Sequence, residues 1–108
     1  MEIPRLLKVG SHMFNVKYPY QFKERTDLDG RMSLEHSEIL LAGKDRSGRV
    51  VSQSYLEQVF WHEVFHTIDQ IYCCNGIGIS NDKEAMIEGL SQGLLQVLYD
   101  NFKELKVK

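Results

Sequence analysis

Within the segment QVFWHEVFHTID, residues 58–69, the residue types and their spacing suit metal-assisted chemistry. His62 and His66 stand four apart, with Glu63 between them. On a helix, residues i and i+4 share a face about one turn apart. Two imidazole nitrogens can therefore meet one ion at the roughly 2.0–2.1 Å that zinc requires. Glu63 is turned about 100° from His62, a poor place for a ligand. It is well set to take a proton from a water on the ion's open side, the division of labour in HExxH hydrolases. The plain alternative is an ordinary helix carrying two hydrogen-bonded histidines. That asks two imidazoles and a carboxylate to lie among Val, Phe and Trp without a task, which is costly. By background residue frequencies, a chain this short holds an accidental HExxH about one time in a few hundred.

A hydrolytic zinc site needs a third protein ligand and leaves its fourth position to water. The candidates after the motif are Asp69, Tyr72, Cys73, Cys74, Asp82, Glu84 and Glu88; a three-histidine site would have to recruit His12 or His36. Asp69, seven residues beyond His62 on the same face, is suited to accept the free ring N–H of a ligating histidine. Tyr72 stands where another zinc-peptidase pattern sets its third histidine, and that pattern's glycine is missing at Asp69. A glutamate from the next helix remains, with Glu84 and Glu88 one turn apart; a helical wheel sets Glu84 closer to the apolar stripe. The adjacent Cys73 and Cys74 have no CxxC partner and read as reduced, partly buried thiols. Tyr55, Tyr72, Tyr99, His12 and His36 are the candidates for an electrophilic partner to a tetrahedral intermediate.

The elements that must position these groups follow from periodicity. Residues 6–10 and 13–18 alternate around Gly10-Ser11-His12 and predict a hairpin. A polar stretch with a turn at Asp29-Gly30 leads to two more strands, 31–35 and 38–42, and GKDRSGR is a surface loop. Leu56, Val59, Phe60, Val64, Ile68 and Ile71 recur at helical spacing and predict a helix over about 53–73. Ser52 or Ser54 is its cap, and Glu57 stands in the capping-box position relative to Ser54. Asn81 or Asp82 caps a last helix whose apolar stripe is Ile87, Leu90, Leu94, Val97, Leu98 and Phe102. Strands followed by two long helices make an α+β domain. It is a single unit over 1–108: mainly β over 1–51, the HExxH helix over 52–74 and a glutamate helix over 82–105.

On these residues the chain resembles a known group. WHEVFHTID followed by EAMIEGLSQGLLQVLYDN is similar to the small phage and prophage metallopeptidase-like proteins, minimal zincins that pair HExxH with a C-terminal glutamate helix. The upstream LKVGSHMFNVKY and DGRMSLEHSEILLA fit the same pattern, so the resemblance covers most of the chain. More distantly it is similar to the gluzincins, including the ImmA/IrrE-type peptidases, whose third ligand is the glutamate of an E-x-x-A-(D/N) motif. Laid on this chain, the resemblance implies Zn²⁺ held by His62, His66 and Glu88, with Glu84 in reserve. Glu63 is then the catalytic base, and Asp69 and Gln92 support the ligands. Ser91 stands in place of the alanine and Gln92 in place of the acid or asparagine. The resemblance also implies an edge strand before the HExxH helix on which a peptide or protein substrate lies; EILLA, with Ile39, Leu40 and Leu41, is the candidate.

Composition narrows the function classes. The chain is 43% hydrophobic and 26% charged with net charge −2, so it carries neither a basic stripe for nucleic acid nor a polybasic membrane patch. No signal peptide and no stretch of roughly 20 apolar residues is seen, which predicts a cytoplasmic protein. The expected function is zinc-dependent peptide hydrolysis. A non-catalytic, zinc-stabilised phage interaction module is the alternative from another class. A DNA-associated protease of the SprT type is a third reading, and the charge balance counts against it.

Overall fold

The alternation in LLKV and HMFNVK builds the first hairpin, strands β1 (Leu6–Val9) and β2 (His12–Lys17). Leu7, Val9, Phe14 and Val16 point inward and are buried, while Leu6, Lys8, Met13 and Asn15 face solvent. Gly10 has φ 60°, the positive value that a two-residue hairpin turn asks of its first position. A Cβ there would stand 2.9 Å from Ile71 Cγ2. The computed structural model describes residues 2–23, 28–76 and 83–102 of the chain. The proposed caps Asn81 and Asp82 and positions 103–105 of the expected second helix lie outside them.

Strands β3 (Gly30–Ser33) and β4 (Glu38–Leu41) complete a four-stranded sheet of order β1-β2-β4-β3. β4 pairs parallel with β2 and antiparallel with β3. This corrects the expectation that EILLA is an edge. β4 has a neighbour on each side, and Ile39, Leu40 and Leu41 are all buried, so no substrate strand can add to it. The edge beside the helix is β3, and Gly30 is its first residue rather than part of a turn.

Helix α1 (Gln53–Tyr72) is capped by Ser52, whose Oγ accepts from Tyr55 N at 3.2 Å. With Ser52 as the cap, Glu57 falls outside the capping-box position, and Tyr55 takes its place in the count. Phe60, Val64, Thr67 and Ile68 form the buried face of α1, together with Glu63. Helix α2 (Lys83–Asn101) packs on α1 through small residues: a Cβ on Gly93 would meet Ile68 Cγ2 at 2.5 Å, and one on Gly89 would meet Cys73 Sγ at 2.9 Å. Val97 and Phe102 enter the core, Leu90, Leu94 and Leu98 pack against it, and Ile87 is 58% exposed instead of joining the stripe. Trp61 stacks on Phe102 with ring centroids 5.9 Å apart and ties the middle of α1 to the residue that follows α2.

The outer edge of β1 is closed by α2. Lys8 N donates to Asn101 Oδ1 at 2.7 Å, and Lys8 O accepts from Gln96 Nε2 at 2.9 Å and Asn101 Nδ2 at 2.8 Å. Gly10 N donates to Gln96 Oε1 at 2.8 Å. Among the described residues no helix is long and apolar enough to cross a membrane.

Candidate active site

The period of α1 sets the site. Its buried face is mainly apolar, so His62 and His66 fall on the opposite, exposed side. Their Nε2 atoms are 3.1 Å apart, and the rings stand at 77° with centroids 4.7 Å apart. Two nitrogens bound to one tetrahedral zinc at about 2.0–2.1 Å stand about 3.4 Å apart. The pair is thus within a few tenths of an ångström of a chelating arrangement. With no ion between them, one ring donates its N–H to the other across the same gap. Either way both Nε2 atoms converge on one point outside the helix.

Glu63 lies on the flank of α1 that meets β3 and is 7% exposed. A Cβ on Gly30 would stand 3.2 Å from Glu63 Oε2, 3.2 Å from its Cγ and 2.9 Å from Val59 Cγ1. The missing side chain at Gly30 therefore makes the seat for the carboxylate. Burial pushes the Glu63 carboxyl above the ordinary carboxylate range, and His62 and His66 partly oppose that rise. A carboxylate short of water, one residue from an exposed imidazole, suits a proton acceptor. One turn on, Thr67 Oγ1 donates to Glu63 O at 2.8 Å and is fully buried, which fixes the backbone under the base.

Pairing along β3 decides what its edge offers. Ala42 N donates to Asp29 O at 2.8 Å, so Asp29, Arg31 and Ser33 turn their backbone groups toward β4. Gly30 and Met32 then turn theirs outward, where no described strand lies. A free strand edge and a buried carboxylate therefore meet at Gly30. Sequence reasoning missed this glycine, which reads as a turn residue in DLDGR.

The remaining candidates are distributed as follows. Asp69 is half-buried on the same stripe as the histidines, and its carbonyl accepts from Cys73 N and Asn75 N at 3.0 Å each. Glu88 is exposed on α2, and its Oε1 accepts from Gln92 Nε2 at 2.9 Å. It is turned about 100° from Gly89, which touches α1, and about 180° from buried Val97. Glu84 is exposed as well. Among the described residues no third His, Cys, Asp or Glu is gathered with the histidine pair. Tyr55 Oη is bonded to Asp29 and Tyr72 Oη to Gln96, while His12 lies in β2 and His36 in the turn before β4. Cys73 is buried, which raises its thiol pKa, and Cys74 is exposed; both are free thiols. Comparison with protein-family models, curated proteins and solved structures gives no match.

Proposed function

We propose that this chain is a minimal zincin-like hydrolase that cuts peptide bonds with the help of a bound zinc ion. The observation carrying the reading is the convergence of the His62 and His66 Nε2 atoms at 3.1 Å, with the desolvated carboxylate of the intervening Glu63 on the adjoining flank of α1. His62 and His66 would hold the ion. Glu88 is the third ligand in this proposal and Glu84 the reserve. When bound, the ion supplies Lewis acidity to a water and to the substrate carbonyl.

The chain's own groups do the rest. Glu63 accepts a proton from the attacking water and returns it to the leaving amine. The Gly30 seat keeps its carboxylate in place and poorly hydrated. The open edge of β3 takes the substrate backbone as an added strand, which holds a carbonyl near the base. β3 thus replaces β4 in the role that the resemblance gave to EILLA.

The test has two arms on the full chain. Zinc titration should find one tight site that is lost in His62→Ala and in His66→Ala. Glu88→Ala should weaken it strongly and Glu84→Ala should not; the reverse ranking would move the third ligand to Glu84. In the second arm, wild type and Glu63→Gln are loaded with zinc and offered a proteome-derived peptide library read by mass spectrometry. Glu63→Gln should keep its zinc and lose about 10²-fold or more in cleavage rate. Equal cleavage by both proteins would refute the role of Glu63, and no cleavage by wild type would leave a zinc-binding module.

A further inference from the structure

β3 and α1 run side by side in the same direction. Gly30 at the start of the strand lies against Val59 and Glu63. At the far end, Met32, Ser33, Leu34 and Glu35 border an open groove of about 480 Å³ whose other wall is Gln70 of α1. From Glu63 to Gln70 the helix rises about 10 Å. That is the length of about three residues of an extended chain. A peptide laid along the free edge, with a carbonyl at Glu63, therefore carries a side chain two or three residues away to the groove.

The lining has a definite chemistry. Met32 and Leu34 pack against the core and give the groove an apolar wall. Glu35 is exposed at the rim, and no ion pair joins it to a described residue. Arg31, the cation within β3, projects from the other face of the sheet toward the Phe22 ring at 5.9 Å. A long aliphatic stem with a cationic head complements these groups: the stem covers Met32 and Leu34, and the head reaches the Glu35 carboxylate. An acidic side chain meets repulsion at the same place.

We propose that this groove selects a lysine or arginine side chain two or three residues from the bond that is cut. The substrates are then extended peptides with a basic residue at that position. This rests on the hydrolytic reading of the site, so its test is built on binding, which does not require turnover.

The full-length Glu63→Gln chain, loaded with Zn²⁺, is titrated into fluorescein-labelled decapeptides of one Ser/Thr/Ala host sequence. Single Lys, Arg, norleucine or Glu residues are placed at successive positions, and fluorescence polarisation is recorded. The Lys and Arg peptides should bind about threefold to fivefold tighter than the norleucine and Glu peptides, the value of one exposed ion pair. The preference should vanish in Glu63→Gln/Glu35→Gln and turn toward the Glu peptide in Glu63→Gln/Glu35→Lys. Glu35 is exposed, so both variants should keep the wild-type circular dichroism spectrum. Equal binding of the four peptides, a preference that survives at Glu35→Lys, or no binding at all would overturn the groove's role. Charge-selective binding without cleavage by wild type would overturn the hydrolytic reading and leave the groove assignment standing.

Discussion

At one edge of the sheet, the outward N–H and C=O of Lys8 are both taken by amide side chains of α2, and Gln96 also reaches Gly10 N. At the other edge, Gly30 and Met32 turn the same kind of groups outward beside α1, where no described strand lies. An uncovered strand edge invites pairing with another chain, and proteins generally blunt such edges. Here one edge is blunted by two side chains, Gln96 and Asn101, from a helix that also packs on α1 through Gly89 and Gly93. The other is left open where the Glu63 carboxylate lies against Gly30. On the proposed function, the edge that serves only the fold is sealed, and the one beside the proposed base is accessible.

The largest expected effect comes from filling the seat under the open edge. Gly30→Val would drive a branched side chain into Val59 and Glu63, where even a Cβ stands 2.9 Å and 3.2 Å from existing atoms. Overpacking of this kind costs about 1–3 kcal/mol. A volume change at an exposed position of the closed edge, Leu6→Val, should stay within about 0.5 kcal/mol. Urea denaturation of the two variants against wild type measures both. A Gly30→Val chain as stable as wild type would show that α1 and β3 have room to separate, and the seat for Glu63 would lose its physical basis.

Next comes removal of the seal at the other edge. Gln96→Ala/Asn101→Ala frees the Lys8 and Gly10 backbone groups, most of which water can reach. The loss should be about 1–2 kcal/mol, at the low end for the hydrogen bonds involved. The sharper readout is association: the double variant should show concentration-dependent self-association by sedimentation velocity where wild type does not. Zinc affinity of the His62–His66 pair should be unchanged, because the two edges lie on opposite sides of the sheet. A double variant that stays monomeric at high concentration would show that the α2 amides are not what keeps β1 from pairing.

Parts of this contrast are legible in the sequence, and the reasons differ from element to element. The hairpin follows from alternation around Gly10-Ser11, and α1 follows from its period and serine cap, because both signals are local. The histidine convergence follows from i, i+4 spacing alone. Strand order is not local. The resemblance sets the strand just before α1 at an edge, yet β3, which precedes it in the chain, lies outside it. A signal was present: Ile39, Leu40 and Leu41 form an unbroken apolar run, the mark of a strand covered on both faces. The seat at Gly30 was hidden because a glycine after aspartate reads as a turn, and close approach of two elements leaves no local trace. The orientation of Glu88 was hidden for a related reason. The α1 contact of α2 runs through Gly89 and Gly93, which carry no weight in an apolar stripe.

The smallest effect concerns how the open edge is pinned. Tyr55, in the first turn of α1 and 40% exposed, donates its Oη–H to Asp29 Oδ2 at 2.7 Å. Asp29 directly precedes β3, and its carbonyl accepts from Ala42 N, so this bond ties the start of the edge strand to the helix. The bond and the charge of Asp29 hold the phenol proton and raise the Tyr55 pKa above its ordinary value of about 10. Because the folded value lies above the unfolded one, the contribution is complete below about pH 10 and disappears as pH rises through the raised folded value. Tyr55→Phe should therefore lower the melting temperature by a constant amount through the neutral range, less than either change above. The gap to wild type should close in strong alkali, where a tyrosinate beside Asp29 gains nothing over phenylalanine. Amide hydrogen exchange separates the edges: Arg31 and Ser33, which pair with β4, should exchange faster in Tyr55→Phe, while Leu7 and Val9 in β1 should be unaffected. Phenylalanine keeps the ring and lacks only the hydroxyl, so a gap that persists unchanged above the tyrosine range would mean that the proton donated to Asp29 is not what holds the start of β3 against α1.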